Sequence, residues 1–150
     1  MAGLGEQPDF LRALGRKLDE AQAQHVDITI HETFLAVTWE KPFSGPQQRT
    51  LQDGELAALR AEAKESRQRE APRGSLAEML RTLGQELSQG QVEASSIVEE
   101  PEGFRVSGVA GGRYFRQLYR KAELLRTSDR RRSGRGGRKA TTLSGRLAAS

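Results

Sequence analysis

The chain has 150 residues and no cysteine; 35% of its residues are hydrophobic, 29% are charged and 5% are aromatic. This length suits one domain with its own core, and the lack of cysteine excludes a disulfide framework, a thiolate metal site and a cysteine nucleophile. Residues 128–150 carry seven basic side chains and one acidic one, whereas residues 1–127 carry 17 basic and 19 acidic ones. We therefore expect a nearly neutral α+β domain, residues 1–127, and a cationic tail, residues 128–150.

The first predicted unit, residues 8–40, is a helix followed by a β-hairpin. Apolar side chains have helical spacing over residues 9–24. Apolar and polar residues then alternate over residues 26–39, with one break, which is the pattern of two short strands. A loop that contains Pro42 and Pro46 is expected to close the unit, because proline cannot donate a hydrogen bond to a sheet.

A charged helix is predicted over residues 51–70, where a thin apolar stripe indicates a helix that bridges two units. The second unit, residues 75–110, repeats the order of helix and hairpin. Its helix begins at the capping box Ser75-Leu76-Ala77-Glu78. Strands are predicted at residues 92–99 and 104–109, separated by a turn.

An octapeptide of the first helix, LRALGRKL at residues 11–18, returns as LRTLGQEL at residues 80–87. Glycine costs about 1 kcal/mol relative to alanine in mid-helix, so Gly15 and Gly84 indicate close approach of each helix to a sheet. A duplicated unit explains both the octapeptide and the order of elements; the alternative is that Leu-rich amphipathic helices look alike. The predicted fold has two αββ units in a mostly antiparallel four-stranded sheet, with helices on one side.

Residues 113–125 are predicted to form a C-terminal helix with Tyr114, Leu118 and Leu125 on one face, although alternating aromatic and basic residues also permit a strand. From Ser128 onward Ser, Gly and Arg dominate. This tail has little apolar surface, so burial cannot offset the conformational entropy that the tail would lose on folding. We therefore expect it to be disordered by itself.

No motif for catalysis is found, since the GxSxG and phosphate-loop spacings are both missing from the sequence. His25, Asp27 and His31 share one face of the first strand and offer metal-ligand atoms, but the polar face of an amphipathic strand explains them equally well. We predict no catalytic residue, no metal and no cofactor. The sequence also lacks an export signal and the ~18 apolar residues that span a bilayer, so a cytoplasmic protein without membrane contact is expected.

The basic C-terminal region is the strongest functional signal. Arginines separated by Gly and Ser present guanidinium groups to phosphates, and Tyr114, Phe115 and Tyr119 offer rings for base stacking. The candidate nucleic-acid-binding residues are Arg113, Arg116, Arg120, Lys121, Arg130, Arg131, Arg132, Arg135, Arg138 and Lys139.

We predict a small non-enzymatic protein that binds RNA or DNA through phosphate contacts, alone or in a ribonucleoprotein assembly. The alternative is a protein-interaction or adaptor module whose partner docks on an open sheet edge or on the 51–70 helix. A basic terminus that serves only solubility, or that contacts acidic proteins, also remains open.

Overall fold

The structure, a computed structural model, describes residues 7–65 and 71–131. Its first half has a helix, three strands and a helix: α1 (Gln7–Glu20), β1 (Gln24–Ile30), β2 (Leu35–Lys41), β3 (Gly45–Leu51) and α2 (Asp53–Glu65). The second half has the same order: α3 (Leu76–Gln89), β4 (Val92–Glu99), β5 (Gly103–Ala110), β6 (Arg113–Arg120) and α4, residues 121–131. The predicted α+β class is confirmed.

The strands form one six-stranded sheet in the order β3-β2-β1-β4-β5-β6, and every neighbouring pair is antiparallel. Strands β1 and β4, the first strands of the two halves, pair at its centre. The prediction of four strands and αββ units is therefore wrong. Each half contributes a third strand, and these two strands are the edges of the sheet.

The edge strand β3 replaces most of the loop predicted around Pro42 and Pro46. It begins at Gly45 and pairs with β2 along its whole length. Pro46 fits because an edge strand needs hydrogen-bond donors on only one side. Only Leu51 of this strand is buried, so the alternation that identifies a strand in a sequence is missing.

Residues 113–120 form the opposite edge strand, β6, and not the first part of the predicted helix 113–125. The strand pairs with β5 from Arg113 opposite Ala110 to Arg120 opposite Gly103. Only the following residues, 121–131, are helical. Pairing with β5 satisfies the backbone groups on one side of this segment and places alternate side chains under the helices. The sequence of the segment fits both a helical and a strand period, so it did not decide between the two structures.

Helices α1 and α3 pack against each other, antiparallel, over the sheet. Leu14 and Leu83, which are equivalent in the two matching octapeptides, are 3% and 0% exposed. A Cβ atom on Gly15 would lie 2.7 Å from Cα of Ala77, and one on Gly84 would lie 2.8 Å from Cα of Pro8. The two glycines therefore permit close approach of helix to helix, and not of helix to sheet as the sequence suggested.

The start of α3 is fixed by two caps. The predicted capping residue is confirmed, because Oγ of Ser75 accepts a hydrogen bond from the backbone N–H of Glu78. The carboxylate of Asp19 accepts hydrogen bonds from the N–H groups of Leu76 and Ala77, both at 3.0 Å. A carboxylate at this end of a helix is favoured by the helix dipole, so Asp19 ties the end of α1 to the start of α3.

Of the helix predicted over residues 51–70, the structure describes Asp53–Glu65 as α2, and residues 66–70 lie outside the described part. Helix α2 buries Leu56 and Leu59 and packs against α1 of its own half. It is therefore the closing helix of the first half.

Helix α4 contains the first four residues of the predicted tail, 128–150. Ser128 is 1% exposed and donates a hydrogen bond to the carboxylate of Glu78, which is 2% exposed. Residues 132–150 lie outside the described residues, so the predicted disorder of the tail stays a prediction.

Candidate functional site

The two faces of the sheet differ in what covers them. Side chains from the four helices of the described residues join one hydrophobic core, which includes Phe104 and Val106 of β5. The alternate residues of β5 and β6 point to the other face. We call this outward surface of the two strands the β5–β6 patch, and its side chains are Arg105, Ser107, Val109, Tyr114, Arg116, Leu118 and Arg120.

Tyr114 is the exposed aromatic residue of the β5–β6 patch. It is 75% exposed, and Val109, which lies directly opposite on β5, is 44% exposed. Phe115 and Tyr119 point to the other face and pack against the core. Burial, with a smaller contribution from the charge of Glu86, raises the pKa of Tyr119. Of the three predicted stacking residues, Tyr114 is therefore the one whose ring is exposed on the outward face of the sheet.

The arginines predicted on this segment have different surroundings. Arg113 and Arg116 are exposed. Arg120 lies 3.3 Å from the carboxylate of Glu102, and both side chains are exposed, so this ion pair contributes little to stability. All three guanidinium groups therefore remain accessible to a ligand.

Two further basic residues are engaged in ion pairs. Lys121 lies 2.8 Å from Glu99 and 5.7 Å above the ring of Phe104, in a partly buried position. Arg105, which the sequence did not single out, makes two hydrogen bonds to Glu100, at 2.8 and 3.0 Å. This contact raises the pKa of Arg105 and lowers that of Glu100.

Helix α4 adds basic residues beside the edge strand. Arg130 is exposed and lines a groove of about 250 Å³ between α3, β6 and α4. Arg120 and Arg126 also line this groove, as do the carboxylates of Glu86 and Glu123. Arg126 was not among the predicted site residues, and only the fold brings it next to β6. The guanidinium of Arg131 lies 3.5 Å from the hydroxyl of Thr82 in a partly buried contact. The remaining predicted site residues, Arg132, Arg135, Arg138 and Lys139, lie outside the described residues.

Charge is segregated along the described chain. Residues 113–131, which form β6 and α4, contain seven basic and two acidic side chains, a net charge of +5. The two preceding segments, residues 7–65 and 71–112, have a net charge of −3 each. The excess of positive charge therefore begins at the edge strand β6, before the predicted tail.

The polar face of β1 gathers no metal-binding cluster. The ring of His31 stacks on Phe34 at 4.2 Å, and His25 has a left-handed backbone beside a β-bulge. Within residues 7–65 and 71–131, no three His, Asp or Glu side chains are placed to hold a metal ion. In the same residues no helix is long and apolar enough to cross a membrane.

Comparisons of the chain with family models, with curated proteins and with solved structures find no match.

Proposed function

We propose that this protein binds nucleic acid without catalysing a reaction, through the β5–β6 patch and the exposed basic residues beside it and after it. The observation that carries this proposal is the exposed pair Tyr114 and Arg116 on β6, at the start of a segment with a net charge of +5. Aromatic rings stack on bases, and guanidinium groups bind phosphate oxygens in a forked geometry. We place the function in the cytoplasm, as the lack of cysteine suggests.

The proposed contacts are a subset of those predicted from the sequence. Arg113, Arg116, Arg120 and Arg130 supply exposed cations. Lys121 and Arg131 are left out because each already contacts a partner of the fold. Arg126 is added because it lines the same groove as Arg120. The candidates beyond residue 131 add four more cations on sequence grounds.

We also propose that the chain contains two copies of one αβββα unit, as an internal repeat. Two observations support this proposal. The order of five elements recurs, with α1 beginning at residue 7 and α3 at residue 76. The contact of Gly15 with Ala77 also has its counterpart in the contact of Gly84 with Pro8, with the two helices exchanged.

A second candidate function is the binding of an extended peptide by the edge strand β6. Among the described strands β6 pairs only with β5, so the backbone groups on its other side can accept an added strand. The exposed Arg113 and Arg116 would favour an acidic peptide. This candidate preserves the predicted alternative of a protein-interaction module.

Purification of the full chain with and without nuclease separates the two functions. We expect the untreated protein to carry nucleic acid, with a raised ratio of absorbance at 260 nm to that at 280 nm that falls after nuclease treatment. A variant with Arg116→Gln and Arg120→Gln should carry less. The matched control, Lys41→Gln with Lys64→Gln, changes exposed lysines of the other half and should leave the ratio unchanged. If the untreated protein already has an absorbance ratio near that of pure protein, the result would support the peptide-binding alternative.

A further inference from the structure

The two outer strands carry a row of side chains that fits single-stranded nucleic acid better than duplex. On β6 the outward residues are, in order, Tyr114, Arg116, Leu118 and Arg120. A strand rises about 3.4 Å per residue, so successive outward side chains are about 7 Å apart. The row therefore places one exposed ring next to a guanidinium, with a second guanidinium further along the same strand.

The ring of Tyr114 has apolar support from the neighbouring strand. Val109 lies opposite it in the register of β5 and β6, and both side chains are substantially exposed, at 75% and 44%. A base that stacks on this ring would cover apolar surface that otherwise faces water. In a duplex every base is already stacked on its neighbours, so the ring can take up a base only from an unpaired strand.

Small residues beside Arg116 leave room for a sugar–phosphate backbone. In the register of the sheet Arg116 lies opposite Ser107, and Ser107 lies opposite Ser96 of β4. Their side chains are short and carry hydroxyl groups, which donate hydrogen bonds to phosphate or ribose oxygens. The guanidinium of Arg116 is thus flanked by short, polar side chains, which leave space for a sugar–phosphate backbone.

Acidic residues limit the direction in which a polyanion can lie. Glu93 of β4 is exposed and lies opposite Val109, on the far side from Tyr114. Asp27 of β1 lies opposite Val98, which is next to Arg105. A strand of phosphates that crossed the sheet toward β1 would meet both carboxylates. A path along β6 meets Arg116 and then Arg120, which is held by the carboxylate of Glu102 in an exposed ion pair that a phosphate can replace.

We infer that the β5–β6 patch selects single-stranded over duplex nucleic acid, with one base stacked on Tyr114 and the backbone running along β6 past Arg116. This inference rests on the proposed nucleic-acid binding and names its ligand class. Tyr114 is the residue that distinguishes the two ligands, because Arg116 and Arg120 contact phosphates in either.

Fluorescence anisotropy of labelled oligonucleotides with the full chain tests this inference. The probes are 12-nucleotide oligothymidylate, 12-nucleotide oligouridylate and a 12-base-pair duplex, each at about 50 mM salt, where phosphate contacts are strong. We expect both single strands to bind more tightly than the duplex. Tyr114→Ala should weaken single-strand binding about 5- to 150-fold, the range that corresponds to the loss of one base–aromatic stack.

Four controls make the result specific. Tyr114→Phe keeps the ring and should stay within about twofold of the wild-type affinity, and Tyr114→Ala should leave duplex binding unchanged. Gln48→Ala, an exposed change on the opposite edge strand, should alter neither ligand. Equal thermal midpoints exclude misfolding as the cause of a loss.

The outcomes separate the inference from the proposal on which it rests. Equal affinity for single strands and duplex, or unchanged single-strand binding by Tyr114→Ala, would overturn the inference and leave nucleic-acid binding intact. Failure of the wild-type chain to bind any of the three probes would overturn both.

Discussion

Gly15 and Gly84 show how single residues set the distance between the two central helices. Each glycine faces the backbone of the other helix, at Ala77 and Pro8. Backbone atoms cannot rotate away as the end of a long side chain can, so a methyl group at either position forces the helices apart. The sequence identified both glycines as packing residues but not what they pack against.

Replacement of either glycine by alanine is expected to destabilise the protein. Alanine gains up to about 1 kcal/mol of helix propensity, but overpacking of this kind costs about 1–3 kcal/mol. We expect Gly15→Ala and Gly84→Ala each to lower the free energy of unfolding, measured by urea denaturation. Gly54→Ala is the matched control, because no atom lies within 4 Å of a Cβ built there, and it should be neutral or stabilising. Neutral results at all three positions would mean that α1 and α3 lie further apart than the structure has them.

At the scale of elements, the segment after Gly112 is where the sequence was least decisive. Residues 113–125 satisfy a helical stripe and a strand alternation at once, and pairing with β5 selects the strand up to Arg120. Formation of a strand in place of a helix decides which aromatic side chains of this segment are buried and which are exposed. Phe115 and Tyr119 turn toward the core, and Tyr114 turns outward.

Helix α4 is held by a buried polar contact that the sequence did not indicate. Ser128 donates to Glu78 of α3, and both are almost completely buried. Asp129, the next residue, pairs with Arg73 at 2.7 Å. This second pair is bidentate, with hydrogen bonds of 2.7 and 2.8 Å, but it is exposed, so we expect it to contribute less to stability than the buried contact of Ser128.

Truncation on either side of this contact should give different stabilities. We expect a chain that ends at Thr127 to be less stable than one that ends at Arg131 by about 1–3 kcal/mol, the cost of removing a hydrogen-bond partner from a buried group. Thermal and urea unfolding of both chains measure the difference. Ser128→Ala in the full chain should reproduce most of the loss, and Arg73→Gln should not. Equal stability of the two truncated chains would show that α4 is not anchored at Ser128.

At the scale of the whole molecule, charge is the property that most restricts the function. The described residues before β6 are acidic overall, whereas β6 and α4 carry a net charge of +5. A polyanion is therefore attracted to one end of the sheet and repelled by the rest. Such binding depends on salt, because each phosphate that is neutralised releases condensed counterions.

The salt dependence of binding measures how many cations contact phosphates. Each contact contributes about −0.7 to the slope of log K against log salt for a single strand. A variant with Arg130, Arg132, Arg135 and Arg138 changed to Gln should therefore have a slope shallower by up to about 2.8. Arg131 is kept because it contacts Thr82. Lys41→Gln with Lys64→Gln should leave the slope unchanged, and an unchanged slope in the fourfold variant would show that these arginines do not contact the ligand.

The sequence by itself determined the properties that depend on near neighbours along the chain. The α+β class and the cap at Ser75 follow from periodicity and local hydrogen bonding, and both are confirmed. The uneven charge is also a property of the sequence alone. Nucleic-acid binding, inferred from that charge, stays a prediction.

Only the tertiary structure decided which side chains of the basic region are available. Whether residues 113–120 form a strand depends on pairing with β5, and the face on which Tyr114 lies depends on which side the helices cover. Ser128 and Glu78 are 50 residues apart in sequence, and only the packing of α4 on α3 brings them together. These features depend on contacts between distant parts of the chain, and local periodicity carries no information about which distant partner a segment meets.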